Sequence, residues 1–399
     1  MDRGRETRRV LTVNGGSSSL KSTVYETAGG AFQRTWTATV QRIGSPAARF
    51  RAQGPRGETL EEVETPLADL PAALVRWLDW LRARGALVAI DAVGHRIVHG
   101  GSHGDRPQVL TPELRDALGT LVSLDPDHLP GQLAAVRAID RACPGVLQVG
   151  CFDTTFHGTM PDRARHYPLP RALTARGIVR YGFHGLSYES ILDALRREDA
   201  AAADGRLIVA HLGGGASMTA IADGRSLDTT MGLTPAGGLM MGTRCGDLDP
   251  GLLVHLLEAD GLTPAALNDL VNHRAGLLGV SETTADMQEL LARAADDGRA
   301  AEAVALFCYS ARKWLGALLA ALGGAAQVVF TGGIGEHAPQ VRAAICEGLG
   351  FAGIRLDPAR NAANARVISA VGAPVTVRVM ATDEELMIAR HTVEVLEAI

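Results

Sequence analysis

Aromatic side chains are scarce in this chain: phenylalanine, tryptophan and tyrosine make up 4% of 399 residues, against 46% hydrophobic and 21% charged. Its interior must be assembled from alanine, leucine, valine and isoleucine, in the balance of an ordinary soluble protein. Paired cysteines are also missing. Cys143, Cys151, Cys245, Cys308 and Cys346 are odd in number and nowhere spaced C-x-x-C, which favours reduced thiols over a disulfide framework or a zinc site. There is no excess of positive charge, and a net charge of −5 gives no reason to expect nucleic acid as a partner. The basic start, MDRGRETRR, leads into no apolar segment, so no secretory signal is expected. No run reaches the ~18 apolar residues of a membrane span; the nearest, Leu315 to Phe330, is interrupted by Gly323, Gly324 and Gln327. The expectations are a cytoplasmic protein with no membrane partner and two to three domains.

What is abundant is glycine, and its densest use is Asp228 to Pro250, DTTMGLTPAGGLMMGTRCGDLDP. Gly237, Gly238, Gly242 and Gly246 allow close backbone approach, and Pro235 and Pro250 pin turns. Met231, Leu233, Leu239, Met240, Met241 and Leu248 are too apolar for disorder. The reading is an ordered loop presenting Arg244; the plainer alternative is a connection whose arginine pairs with a surface carboxylate. Cys245 fits packing better than nucleophilic catalysis.

Along the chain, Val10 to Asn14 and Leu20 to Tyr25 read as strands around Gly15-Gly16-Ser17-Ser18-Ser19, with a third strand over Thr35 to Gln41. A helix follows over Leu67 to Arg84, a strand from Ile90 to Val98, helices over Thr111 to Leu121 and Gln132 to Arg141, and a buried strand from Val146 to Phe152. The order then recurs. A helix from Leu186 to Arg197 precedes a strand ending at Gly213-Gly214-Gly215, a hairpin through Asp223-Gly224 and a set of helices. A strand over Gln327 to Phe330 runs into TGGIGE, whose glycines open a helix to Leu349. Val375 to Met380 is the last strand and Glu384 to Leu396 the last helix. Strand, glycine turn, hairpin partner and helices thus occur twice, implying duplication and two α/β domains meeting at a cleft.

The turn holding Ser17 and Ser19, followed by Lys21, suits an anionic oxygen; it lacks the G-x-x-x-x-G-K-[ST] spacing of a Walker A loop and is followed by a strand. Gly332-Gly333-Ile334-Gly335 precedes a helix, where backbone N–H groups favour an anion or a flat base. Any one such turn is most simply a tight connection; three at the ends of core strands point to phosphate. Arg96 and His99 end one strand, Asp153 follows another, His184 lies in YGFHG and Glu384 begins the last helix. Singly, each is what a core histidine or a helix cap looks like. Together they are the inventory of phosphoryl transfer: fixed positive charge, carboxylates for Mg²⁺ and little covalent chemistry.

VNGGSSSLK, GHRIVHGG, FDTTFH, YGFHG, HLGGGAS, DTTMGLTP, GLMMGTR, GDLDPG, FTGGIGE and DEEL occur in the order found in acetate kinases, and the chain resembles that family from about Val10 to its end. The resemblance implies a duplicated actin-like, ribonuclease H-like ATPase fold with a central cleft, residues 1–152 plus 385–399 forming one domain and 153–384 the other. It implies a homodimer that uses Mg²⁺, or Mn²⁺, with ATP as co-substrate to phosphorylate acetate reversibly. On that resemblance Arg96 and Arg244 grip carboxylate and phosphoryl, His184 donates to the transferring oxygens, His128 supports the transition state, and Asn14, Asp153 and Glu384 organise metal and phosphates. His211 with Gly213, Gly214 and Gly215 forms a phosphate loop. Gly332, Gly333, Ile334 and Gly335, with Asp286, Met287 and Gln288, shape the nucleotide site, and Val98, Phe183 and Pro235 the acyl pocket.

Five positions depart from the family pattern, among them Leu129, where HNP has become HLP. Gly214 stands for the asparagine of HLGNG, Gln288 for an arginine, and His337 for the asparagine of GIGEN, all on the nucleotide side. On the acyl side Asp127 stands where leucine is usual, which keeps propionate or another short acid open beside acetate. A nucleotide-driven conformational switch is the competing class. Arg96, Arg244 and His184 argue against it, because a switch has no use for a second anion site.

Overall fold

The computed structural model describes residues 7–16 and 18–399. The chain divides into two units, Met1–Thr155 with Asp383–Ile399, and Phe156–Thr382. Asp153 and Glu384, expected in the second domain, therefore belong to the first. The reason is local: Asp153 ion-pairs with Arg96, and Glu384 opens a helix that packs on the first unit's sheet.

The first unit's sheet is built from β1 (Arg8–Gly15), β2 (Ser19–Ala28), β3 (Ala31–Gln41), β4 (Arg49–Gln53), β5 (Thr59–Glu64), β6 (Ala92–Ile97), β7 (Gln108–Val109) and β8 (Leu147–Phe152), in the order β5-β4-β3-β2-β1-β6-β8-β7. The second unit's sheet holds β9 (Leu207–Leu212), β10 (Ala216–Ala222), β11 (Arg225–Thr229), β12 (Gln327–Thr331) and β13 (Thr376–Val379), in the order β11-β10-β9-β12-β13. Five strands of each sheet, β3-β2-β1-β6-β8 and β11-β10-β9-β12-β13, repeat one scheme. Two antiparallel pairings are followed by two parallel ones. This is the duplication read from the sequence, now carried by topology. Central strands with parallel neighbours are covered on both faces, and β1 accordingly is buried at every residue from Val10 onward.

Side chains on β1 alternate between two cores. Leu11 and Val13 face a cluster with Leu74, Trp77, Leu78 and Ile139 from the helices Leu70–Arg82 and Leu129–Ala142. Val10, with Tyr25, faces Ala389 and Val393 of the helix Glu384–Glu397. The helix Leu70–Arg82 begins where it does because Asp69 accepts from Ala72 N at 2.8 Å, with proline in its first turn. The final helix approaches β6 so closely that a Cβ built on Gly94 would lie 2.1 Å from Thr392 Oγ1 and 2.7 Å from Ile388 Cγ2. Glycine there admits the helix that carries Glu384.

Some elements differ from the sequence expectation. The β4–β5 hairpin lies in a stretch to which the sequence pattern assigns no element; it alternates charged residues, and cross-strand pairs such as Arg49 with Glu62 hold it. The helix opened by TGGIGE ends at His337, and a second runs Pro339–Cys346, since proline lacks the N–H that would continue the first. The helix Gly298–Leu322, with a mean hydropathy of 1.2 in its most apolar window, is by length and composition enough to match a membrane span; Gly323, Gly324 and Gln327 lie beyond its end. It buries one stripe, Ala303, Phe307, Ala311, Leu315, Leu318 and Leu322, in the manner of a core helix.

Replacing Gly94 by alanine is expected to lower stability by about 1–3 kcal/mol through overpacking against the final helix. Thermal or urea unfolding checks this, and an unchanged midpoint would refute the close approach.

Candidate active site

In the first unit the carboxyl ends of three strands meet a helix start. Arg96, at the end of β6, donates Nε to both oxygens of Asp153 at 2.9 and 3.0 Å and Nη2 to Oδ2 at 2.5 Å. Its Nη1 reaches Asn14 Oδ1 of β1 at 3.4 Å. Burial works to depress the Arg96 guanidinium, but Asp153 first, then Glu384 and Asp125, outweigh it and hold the arginine charged. Asn14 Nδ2 in turn donates to Glu384 Oε2 and Glu385 Oε1, each at 2.8 Å. Glu385 escaped the sequence reading although DEEL contains it. Burial pushes its carboxyl up; Lys21 opposes this and Glu384 adds to it. Two carboxylates converging on one amide form an acidic corner. Its chemistry fits a small divalent cation, which takes one or two carboxylates and completes its shell with phosphate oxygens and water.

Around that corner, Gly16 N donates to Ser19 O at 2.9 Å to close the first glycine turn. Lys21 is exposed and pairs with Asn14 across the ladder. Ser17 lies outside the described residues. Gln132, another residue missed in sequence, ties this turn to β6: its Oε1 accepts from Val98 N at 3.0 Å and its Nε2 donates to Gly15 O at 3.2 Å. His128 Nδ1 bonds Asp125 Oδ1 at 2.7 Å. Asp127 is exposed, whereas Val98 is buried.

In the second unit, His184 sits at φ 62°, a left-handed backbone, at the start of the helix Gly185–Glu198. An unbranched polar residue tolerates that region but does not favour it, and its neighbours hold it there. His157 Nε2 bonds the Phe183 carbonyl at 3.0 Å, and its Nδ1 bonds Ser226 Oγ at 2.8 Å. His184 Nδ1 meets Ser217 Oγ at 2.8 Å, and its ring stacks on His211 with centroids 4.3 Å apart. A Cβ placed on Gly215 would lie 3.5 Å from His184 Nε2 and 3.6 Å from Arg244 Nη1. Imidazole, guanidinium and glycine backbone therefore border one small space.

The loop that brings Arg244 there has no helix or strand from Met231 to Asp249, yet Met231, Leu239 and Met241 are buried; its first two expected residues, Asp228 and Thr229, belong to β11. Arg180, unnoticed in sequence, anchors its start by donating Nη1 to the carbonyls of Thr229, Thr230 and Met231 at 3.2, 3.1 and 3.0 Å. Arg244 Nη1 donates to Pro235 O at 3.0 Å. Burial raises the Cys245 thiol, which suits packing rather than nucleophilic attack.

The two remaining glycine turns adjoin, a Cβ on Gly213 lying 4.0 Å from Gly333 N, while Gly214 and Gly333 face open space. Arg342, fully buried and also missed, grips the far end of the second turn through Gly335 O at 2.8 Å and Glu336 O at 3.0 Å. Ile334 lies in that turn, in the helix Gly332–His337. Asp286 caps the helix Met287–Arg293, accepting from Gln288 N at 2.7 Å. Met287 is buried and the Gln288 side chain exposed. Among the described residues no cluster of three or more His, Cys, Asp or Glu could hold a metal alone.

Guanidinium, imidazole and glycine turns at the carboxyl ends of strands, on a twice-repeated α/β sheet, define the class of nucleotide-dependent phosphotransferases with an actin-like fold. Residues 9–390 match the model of the Acetokinase family. An acetate kinase of Rhodopseudomonas palustris (strain TIE-1) is 44% identical over 391 residues, covering 96% of this chain and 97% of that protein. The crystal structure of Porphyromonas gingivalis acetate kinase is similar at 38% identity and a TM-score of 0.84, over 98% of this chain and 100% of the other. That of a propionate kinase from Francisella tularensis subsp. tularensis SCHU S4 matches at 31% identity and a TM-score of 0.87, over 97% and 99%. The chain belongs to the acetokinase family.

His157 makes the site pH-sensitive from within. Burial pushes its pKa down to about 4, against ~6.5 when unfolded. Above pH ~6.5 both states are neutral and stability is full; as pH falls toward 4 the unfolded chain takes up a proton that the folded one refuses. Up to about 3 kcal/mol is lost across that window. Urea unfolding at pH 7 and 4.5 should show the loss, and His157→Gln should lessen it without abolishing it, because buried His95 is pushed down to about 4 in the same way; an equal slope in the variant would remove His157 as a cause.

Proposed function

We propose that this protein is an acetate kinase, transferring the γ-phosphoryl group of ATP reversibly to acetate by direct in-line attack. The observation that carries the reading is the space at Gly215, bordered by His184 Nε2 and Arg244 Nη1, which suits an oxygen of a phosphoryl group in flight. Acetate is already a nucleophile: one carboxylate oxygen forms the new bond to phosphorus as the bond to the ADP oxygen breaks, and no enzyme base is needed. Arg244 and His184 offset the charge of the equatorial oxygens. Arg96, held rigid by Asp153, grips the carboxylate, with His128 beside it as support. Val98, Phe183 and Pro235 supply apolar surface for the methyl group.

Asn14 and Glu384, with Glu385 adjacent, would hold Mg²⁺ or Mn²⁺. When bound, the ion neutralises charge on the phosphate chain. Within the first unit, Ser17, Ser19 and Lys21 are the candidates for binding phosphate. Within the second, His211 and Gly213 to Gly215 are such candidates, and Gly332 to Gly335 with Asp286, Met287 and Gln288 receive the nucleoside. Asp127, being exposed, does not oblige a charged group to face the acyl chain, and propionate stays the alternative acceptor. The free cysteines fit a cytoplasmic protein.

A homodimer is part of this reading. The helix Pro250–Glu258, PGLLVHLLE, buries no residue of its own. Close by in sequence, Met240 and Leu248 join Val280, Leu306, Tyr309 and Trp314 around a mostly apolar cavity of about 630 Å³. A second copy of the chain would cover such a surface.

Acyl phosphate trapped as hydroxamate, with Mg-ATP and with Mg-pyrophosphate across formate, acetate, propionate and butyrate, tests the function. Product is expected with ATP and acetate, and tight ATP binding without product from any acid would sink the reading. Arg244→Ala should cost about 10³-fold in turnover with the melting temperature kept. Light scattering should give twice the chain mass, reduced to one by Leu252→Glu with Val254→Glu; a monomeric parent chain would refute the dimer.

A further inference from the structure

The imidazole of His184 can help a phosphoryl group only by donating a hydrogen bond, and a neutral ring carries one proton on two nitrogens. Which nitrogen holds it is decided by what the other one meets. Nδ1 meets Ser217 Oγ at 2.8 Å. Ser217 is fully buried on β10, directly across the ladder from His211, and its Oγ also makes a short contact with Tyr188 OH from the helix Gly185–Glu198. Tyr188 is itself fully buried, its ring packed against Phe156 and His157.

We propose that Tyr188 and Ser217 form a hydroxyl relay that fixes His184 in the Nε2–H tautomer, making it a neutral donor aimed at the space beside Gly215. The relay deepens the phosphotransferase reading and rests on it. A phenol is a stronger acid than an alcohol, so the favoured direction is Tyr188 O–H to Ser217 Oγ, and Ser217 O–H to Nδ1. Each hydroxyl then donates once, and the ring's own proton is left on Nε2. No proton moves during the reaction; the relay sets only where it resides. A neutral donor also suits the surroundings. Arg244 borders the same space from the loop, His211 stacks on the ring from β9, and His157 grips the neighbouring carbonyl. A full charge on His184 would face the Arg244 guanidinium at close range, whereas a neutral N–H adds donation without that repulsion.

Ser217 and Tyr188 are thus positioning residues, and the test needs a signal that simple packing would not give. In the parent enzyme, hydroxamate formation should not rise as pH falls from 9 to 6. Ser217→Ala should lose about 10–100-fold in kcat at pH 8 with KM little changed. Part of that loss should return as pH falls below ~6.5, because an imidazolium carries a proton on both nitrogens. Ser217→Thr, which keeps the hydroxyl, should restore rate and profile, and Tyr188→Phe should fall between. Nitrogen-15 NMR of His184 in the ligand-free protein should place the proton on Nε2, and Ser217→Ala should give mixed tautomers. A proton on Nδ1 in the parent chain, or a Ser217→Ala profile parallel to the parent's, would overturn the relay. A parent enzyme that makes no acyl phosphate would sink the functional reading instead, with the NMR result still deciding the relay.

Discussion

The first unit depends on one buried ion pair. Arg96 and Asp153 leave the ends of neighbouring parallel strands, and taking both charges out of water is tolerable only because three short hydrogen bonds join them. Breaking such a pair typically costs about 3–5 kcal/mol, since the surviving charge stays buried. The pair therefore locks the ends of β6 and β8 together, and Asn14 extends the lock to β1 and to the helix bearing Glu384 and Glu385. Under the proposed function, charges that would meet charged substrates are held still before any substrate arrives, which is the economical arrangement for electrostatic catalysis.

The second unit solves the same problem with a different balance of forces. Its candidate site groups lie in loops and at the ends of helices and strands, and guanidinium groups hold that backbone by its carbonyls. Arg180 fastens the start of the Arg244 loop, and Arg342 fastens the turn through Gly335. Buried carbonyls near the ends of elements or in loops are costly without a partner, and the guanidinium groups supply one. The neutral His157 completes the set by fixing the residue before His184.

Much of this was legible in the sequence because glycine and proline leave local marks. The three turns at Gly15, Gly213 and Gly332, the Asp223-Gly224 hairpin and the repeated element order could all be placed from the chain alone, as could the ordered Arg244 loop. Gln132, Arg180, Arg342, Ser217 and Glu385 could not. Their importance comes from partners distant in sequence, Gly15 for Gln132 and Asn14 for Glu385, and nothing beside them in the chain announces such partners. The β4–β5 hairpin goes unassigned for another reason. Edge strands carry charge to discourage pairing with other chains, and that charge masks the alternation by which a strand is recognised.

The first unit is closed by residues that follow the whole of the second. Its sheet is laid down early, but the helix seated on Gly94, with the carboxylates at its start, exists only once some 380 residues have been made. Domains emerging from the ribosome fold as their sequence becomes available, so the inserted unit can finish first while the earlier one waits with an apolar face open. A chain cut short anywhere before Asp383 lacks both that cover and its acidic corner. Quality control on this protein is thereby built into chain order, since an unfinished copy advertises itself by exposed core.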